Sequence, residues 1–197
     1  QSRWAKVSRK TYEVVSVKAT TVKRGKFTYS QGEHGAEWGS VIHLLLEAAM
    51  LRPVADIDSL AAAALSEQGL DRNLSAEAVE TVRSVTRSDI WKRAGNAERR
   101  LVEAPFQRLI KTESDVGPAE TILRGVVDLA FREPQGWVIV DYKSDRVPAG
   151  RVSELVELYS PQVIGYANSW TQITREPVHE IGLYFTHIGK YVPVTQR

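Results

Sequence analysis

The stretch Arg124-Gly125-Val126-Val127-Asp128, followed by Trp137-Val138-Ile139-Val140-Asp141-Tyr142-Lys143, decides the fold. Both halves are rich in β-branched residues, and Glu133-Pro134-Gln135-Gly136 between them reads as a tight connection, so the pair predicts a β-hairpin. Side chains two apart on a strand share a face. Asp141 and Lys143 therefore project one way, while Val138, Val140 and Tyr142 project the other. Across the hairpin, Asp128 can converge with Asp141. Two carboxylates held close repel and raise a pKa unless a cation lies between them, so the pair suits Mg²⁺ or Mn²⁺. Other roles remain open for each acid alone: Asp128 can cap a turn, and Asp141 can pair with Lys143 or Arg124.

Outward from the hairpin, Arg100 to Ile110 alternates as a third strand, joining Ile122 to Arg132 and Trp137 to Lys143. Before it the apolar period is helical. One helix is expected from near Gly35 to Leu51, ended by Pro53, and a second over Ser59 to Gln68 with Asp58 as its cap. A third opens at Ser75 and runs towards Gly95, with Val79, Val82, Val85 and Ile90 on one stripe. After the strands, a helix is expected over about Ser153 to Thr174, bent or restarted at Pro161. Ile181 to Phe185 then reads as a strand that Tyr191 to Val194 can pair with across Gly189-Lys190, and residues 12–17 can be extended. Mixed strands and helices predict an α/β (α+β) protein with an N-terminal helical region.

His43 adds chemistry to the first helix. Gly39, His43 and Glu47 are four residues apart and lie on one face, with Gly39 leaving room for a close approach. An imidazole beside two carboxylates suits a divalent metal. A core histidine, or a partner of Glu47, is the alternative. The zinc-protease order His-Glu-x-x-His is absent.

Composition bounds the class. With 197 residues, 43% hydrophobic and 25% charged, the chain is long enough to bury a core as one domain. It has no cysteine, which removes disulfides, thiol nucleophiles and cysteine-ligated zinc or iron–sulfur clusters, and a reducing cytoplasm is the expected setting. No apolar run approaches the ~18 residues of a membrane span, so no membrane partner is expected. Net charge is only +2, but it is unevenly spread. Residues 1–30 carry Arg3, Lys6, Arg9, Lys10, Lys18, Lys23, Arg24 and Lys26 against Glu13, leaving residues 31–197 mildly acidic. The first 30 residues are thus either a basic arm for phosphates or a linker, with the domain proper over 31–197.

Taken in order, Gly39-x-x-x-His43-x-x-Leu46-Glu47, Glu103-x-Pro105-Phe106, Gly125-x-x-Asp128, Asp141-Tyr142-Lys143 and Gln162-x-x-x-Tyr166 resemble the motifs of RecB-type nucleases of the PD-(D/E)XK superfamily. The resemblance covers about residues 36–186 and is greatest to the nuclease domain that ends AddA-type helicase–nuclease proteins. It implies a restriction-endonuclease-like core, a mixed central sheet flanked by helices. It further implies that His43, Asp128, Asp141 and the main-chain carbonyl of Tyr142 hold Mg²⁺ or Mn²⁺, that Lys143 stands beside the attacking water, and that Gln162 and Tyr166 position the strand and support the site. Glu103 matches a recurrent acid: a second or water-mediated metal contact, a partner of Lys143, or an edge-strand acid. Val127 stands where the superfamily's name has a proline.

The function so implied is metal-dependent hydrolysis of DNA phosphodiesters, on a single strand in exonuclease fashion, within a helicase–nuclease of double-strand-break repair. The alternative is an inactive DNA-binding or scaffolding module on the same fold. With no Gly-x-x-x-x-Gly-Lys-Ser/Thr loop, ATP hydrolysis would belong to a helicase partner or a preceding part of the same polypeptide. The start at Gln1, without Met, fits a fragment.

Overall fold

A computed structural model of the protein describes residues 12–21, 35–114, 117–148 and 150–195. Among these residues six strands form one mixed sheet: β1 (Tyr12–Ser16), β2 (Arg100–Ser114), β3 (Gly117–Glu133), β4 (Gly136–Lys143), β5 (Val178–Phe185) and β6 (Lys190–Pro193). The helices are α1 (Val17–Thr21), α2 (Gly35–Leu51), α3 (Ile57–Glu67), α4 (Ser75–Arg87), α5 (Asp89–Asn96) and α6 (Val152–Thr174). The mixed sheet flanked by helices is the architecture the sequence implied.

Strand β3 is the trunk of the sheet. One edge pairs antiparallel with β2 over most of its length, while the other is shared: β1 lies parallel to residues 120–124, and β4 lies antiparallel to residues 129–133. Between those partners, residues 125–128 carry neither strand. On its far edge β4 runs parallel to β5, which requires the crossover that α6 supplies. Every residue of β4 is buried, as expected for a central strand covered on both faces.

Two apolar layers pack against the sheet, one on each face. Val138, Val140 and Tyr142 face the bundle of α2–α5 and meet Ile42, Leu45, Leu46 and Val82. Trp137 and Ile139 face α6 and meet Val163, Tyr166, Ala167 and Trp170, with Trp137 and Trp170 edge to face at 5.5 Å. Asp141 and Lys143 share the parity of Trp137 and Ile139, so the alternation delivers an acid and an amine to the α6 side at the strand's end.

Several local features depart from the sequence expectations. Asp56, not Asp58, caps α3: its carboxylate accepts the Ser59 N–H at 3.2 Å, while Asp58 lies in the first turn and pairs with Arg83. The helix expected from Ser75 towards Gly95 is two, because Ser88 turns extended (ψ 155°) and its hydroxyl accepts the Trp91 N–H, capping α5. Pro161 neither ends nor restarts α6, which is one helix through Thr174. Of the basic leading segment, residues 1–11 and 22–30 lie outside the described residues. Residues 12–21 supply β1 and α1, with Val17 buried against the α6 layer.

Candidate metal centre

The site forms where β3 and β4 part. Their ladder ends at Leu129↔Val140, so Asp128 and Asp141, the next pair in register, are the first residues of the fork. In place of a ladder bond, the Tyr142 N–H donates to Asp128 Oδ2 at 2.7 Å. Asp128 is 7% exposed and Asp141 2%. Neither has water to solvate it fully, so each needs a partner.

On the other side of β3, Glu103 of β2 stands opposite Asp128 by register, between the pairs Val102↔Leu129 and Ala104↔Val127. Its backbone is left-handed (φ 46°), a conformation that costs a residue with a Cβ. The kink changes the parity of both strands. Val102 and Leu129 pack with the α2–α5 layer, whereas Ala104 and Val127 pack with the α6 layer. As a result the carboxylates of Glu103 and Asp128 meet α2, where His43 lies one turn beyond Gly39. His43 Nδ1 is 3.1 Å from Glu103 Oε1 and 3.7 Å from Asp128 Oδ1, and the ring is edge-on to Tyr142 at 6.0 Å. One ligand atom from each of His43, Glu103 and Asp128 falls within 4.8 Å of the others.

Asp141 is held apart from that trio. Its Oδ2 touches Lys143 Nζ at 2.7 Å, and its Oδ1 accepts from Gln162 Nε2 at 3.1 Å. Gln162 also accepts from Lys143 Nζ at 3.1 Å and donates to the Tyr166 hydroxyl at 2.9 Å. The structure thus brings Glu103 into the acid–imidazole cluster and leaves Asp141 outside it, against Lys143. Glu47 is not among the contacts of His43. Tyr159, which the motifs did not single out, lies over Lys143 Nζ at 4.3 Å. The available signal was its place one helical turn before Gln162.

The electrostatics follow from crowding. Burial pushes the Asp128 carboxyl up to about 7, with Asp141 and Glu103 adding repulsion that His43 and Lys143 only partly offset. Burial opposes the charged form of His43, but Asp128, Glu103 and Asp141 outweigh it and raise the imidazole to about 9. Burial likewise opposes the Lys143 ammonium, and Asp141 outweighs it, so the amine stays protonated. His43, Glu103 and Asp128, two acids and an imidazole with one ligand atom each within 4.8 Å of the others, are a compact oxygen and nitrogen donor set. They fit a hard divalent cation.

A second group, Glu133, His179 and Glu180, is already occupied by Arg93, whose guanidinium bonds both carboxylates at 2.7–3.1 Å. A concavity of about 620 Å³ lies beyond Ser144 between α4 and the turn Thr186–Ile188; His43, Glu103, Asp128, Asp141 and Lys143 are not among its walls. Among the described residues no helix is long and apolar enough to cross a membrane.

A hairpin forked at two acids, an amine two residues after the second and a flanking helix with an imidazole bring the residues of the sequence motifs together at one place on a mixed sheet. Residues 19–193 match the family described as the PD-(D/E)XK nuclease superfamily, and the chain belongs to it. Curated relatives, each named as a subunit of an ATP-dependent helicase/nuclease, point the same way. The chain is 30% identical over 185 residues to the helicase/nuclease protein of Alkaliphilus metalliredigens, covering 88% of this chain and 15% of the relative. Against the protein of that name in Syntrophomonas wolfei it is 31% identical over 174 residues, covering 81% and 14%. With that of Acetivibrio thermocellus it shares 37% over 91 residues, 45% of this chain and 7% of the other. The chain therefore spans about 15% or less of the length of these relatives.

Proposed function

We propose that this domain hydrolyses DNA phosphodiesters with Mg²⁺ or Mn²⁺, acting on a single strand delivered by a helicase of the same polypeptide or complex. The observation that carries the reading is the convergence of His43, Glu103 and Asp128 at the fork, with the Asp141–Lys143 pair beside it. His43, Asp128, Asp141 and the Tyr142 carbonyl would hold the ion, with Glu103 as a further ligand or the orienter of His43. Bound there, a divalent cation neutralises a phosphate oxygen and lowers the pKa of water.

The chain's own groups supply the rest. Tyr142 N–H fixes the Asp128 carboxylate, leaving its second oxygen towards His43. Lys143 places a permanent positive charge at the position where negative charge gathers as the phosphorus becomes five-coordinate. Its protonated state suits charge stabilisation rather than proton abstraction. Gln162 ties Asp141, Lys143 and Tyr166 into one rigid unit, so the amine is pre-positioned. The names of the relatives, each a subunit of an ATP-dependent helicase/nuclease, support a helicase in the same polypeptide or complex as the setting.

The test is direct. Purified protein with end-labelled single-stranded DNA should cleave on addition of Mn²⁺ or Mg²⁺ and not in EDTA. Asp141→Ala and Lys143→Ala should abolish cleavage while keeping the far-ultraviolet circular dichroism of the parent. Full activity in either variant would remove the assignment, and binding without any cleavage by the parent protein would favour a non-catalytic module.

A further inference from the structure

Among the described residues, the α2–α5 bundle covers only part of its face of the sheet. Beyond the site, side chains on the same face of β1, β2 and β3 stay exposed among the described residues, and the register resolves them into cross-strand rows. Next to Asp128 and Glu103 comes Val126 beside Pro105; then Arg124 between Ser16 and Gln107; then Ile122 between Val14 and Leu109. Val126 is 41% exposed, Val14 47% and Leu109 56%, and Arg124, Gln107 and Pro105 are exposed too. Residues of opposite parity, such as Phe106, Leu123 and Val127, are buried against the α6 layer. The open face thus has its core on the other side and does not need a covering layer to hold its strands together.

We propose that this face is the track along which a single nucleic-acid strand lies as it meets the fork; the proposal rests on the nuclease reading above. Each row is two residues from the next, about 6.6 Å along the strand, a step comparable with that between phosphates of an extended nucleic acid. From Asp128 to Ile122 the rows cover about 20 Å. Apolar rows alternate with a cationic one: Val126 and Pro105, then Arg124, then Val14, Ile122 and Leu109. A strand that alternates flat bases with charged phosphates needs that order. A protein partner would favour a continuous apolar centre depleted of charge, and here the central row holds Arg124. The rows also lead straight into Asp128, so a strand lying there is already at the site. Arg124 takes the phosphate two steps from the cut, and the apolar rows on either side support bases or sugars.

Fluorescence anisotropy with a labelled eight-nucleotide oligo(dT), in EDTA so that cleavage is silent, separates this from the catalytic reading. Arg124→Ala should weaken binding and lower the slope of log affinity against log salt by about 0.7; Arg124→Lys should restore both. Leu109→Ser should weaken binding severalfold with the slope unchanged, since no charge is lost. Both positions are exposed, so the parent's unfolding midpoint should be retained. In Mn²⁺, Arg124→Ala should raise KM with little change in kcat. Parent-like affinity and salt slope in folded Arg124→Ala and Leu109→Ser would overturn the track, even if the parent protein cleaves normally. Weakened binding with a parent that does not cleave would keep the track and remove the catalytic reading. If Leu109→Ser instead dissociates a dimer in sedimentation and leaves oligo(dT) binding untouched, the face belongs to a second copy of the chain and the proposal falls.

Discussion

The main-chain N–H of Tyr142 donates to Asp128 Oδ2 at 2.7 Å, so one carboxylate replaces the ladder bond that the fork removes. Asp128 is therefore both a structural acceptor and a crowded acid. The two roles separate in Asp128→Asn, which keeps an oxygen for Tyr142 and drops the charge. The variant without added metal should unfold at a higher temperature than the parent at pH 8, because a buried charge is removed and repulsion from Asp141 and Glu103 relieved, which together outweigh the lost attraction of His43, while cleavage is lost. Thermal unfolding with a parallel cleavage assay checks both; a less stable variant would show that the charge, not the oxygen, holds the fork.

The same crowding gives a pH dependence. Asp128 titrates at about 7 when folded against 3.8 unfolded, so folding favours its protonated form and stability falls as pH rises through that interval. His43 is raised from 6.5 to about 9, so its contribution is complete below 6.5 and is lost as pH rises through 9. Both slopes run downward, Asp128 from about pH 4 to 7 and His43 from about pH 6.5 to 9. A divalent ion displaces these protons, so Mn²⁺ should raise the unfolding midpoint more at pH 8 than at pH 6. Equal shifts at the two pH values would contradict the assignment.

Gln162 is the joint of the second cluster, bonded to Asp141, Lys143 and Tyr166. Gln162→Met keeps the volume and removes every one of those bonds, and should lower kcat about 10–100-fold, the usual effect of losing a group that orients a metal ligand. Tyr166→Phe deletes a single bond of the set and should cost much less. Steady-state kinetics on single-stranded DNA with both variants tests the order; a larger loss in Tyr166→Phe would move the joint to the tyrosine.

At Gly125 an added Cβ would lie 2.6 Å from the Phe106 ring and 2.9 Å from that of Tyr166. The two rings meet edge to face at 5.8 Å, so neither can yield without moving the other. Gly125→Ala should cost about 1–3 kcal/mol by overpacking and disturb cleavage through Tyr166 and Gln162. Urea unfolding measures the first effect. An unchanged stability would mean the rings give way freely.

Much of this was legible because hairpin chemistry is local. Alternation in Trp137–Lys143 and the turn at 134–135 were enough to pair the strands and send Asp141 and Lys143 to one side. Glu103 was harder to rank, because its place at the centre depends on a left-handed backbone that no glycine announces. Asp141 is implied as a ligand by the motifs, and its Oδ2 lies 2.7 Å from Lys143 Nζ, a pairing the two-residue spacing on one strand face had also left open. Ser88 hid the break between α4 and α5: a serine inside an apolar stripe reads as helix until its hydroxyl is seen capping the next one. The pairing of β1 with β3 links segments a hundred residues apart, beyond the reach of periodicity.

The hairpin turn has two residues, Pro134 and Gln135, between Glu133 and Gly136. It works as a ruler. One residue more or fewer would slide β4 by a single position, turning Asp141 and Lys143 towards the helical bundle and offering Val140 or Tyr142 to the fork in their stead. Insertions in this short loop should therefore be as damaging as loss of the acids themselves, although the loop touches neither.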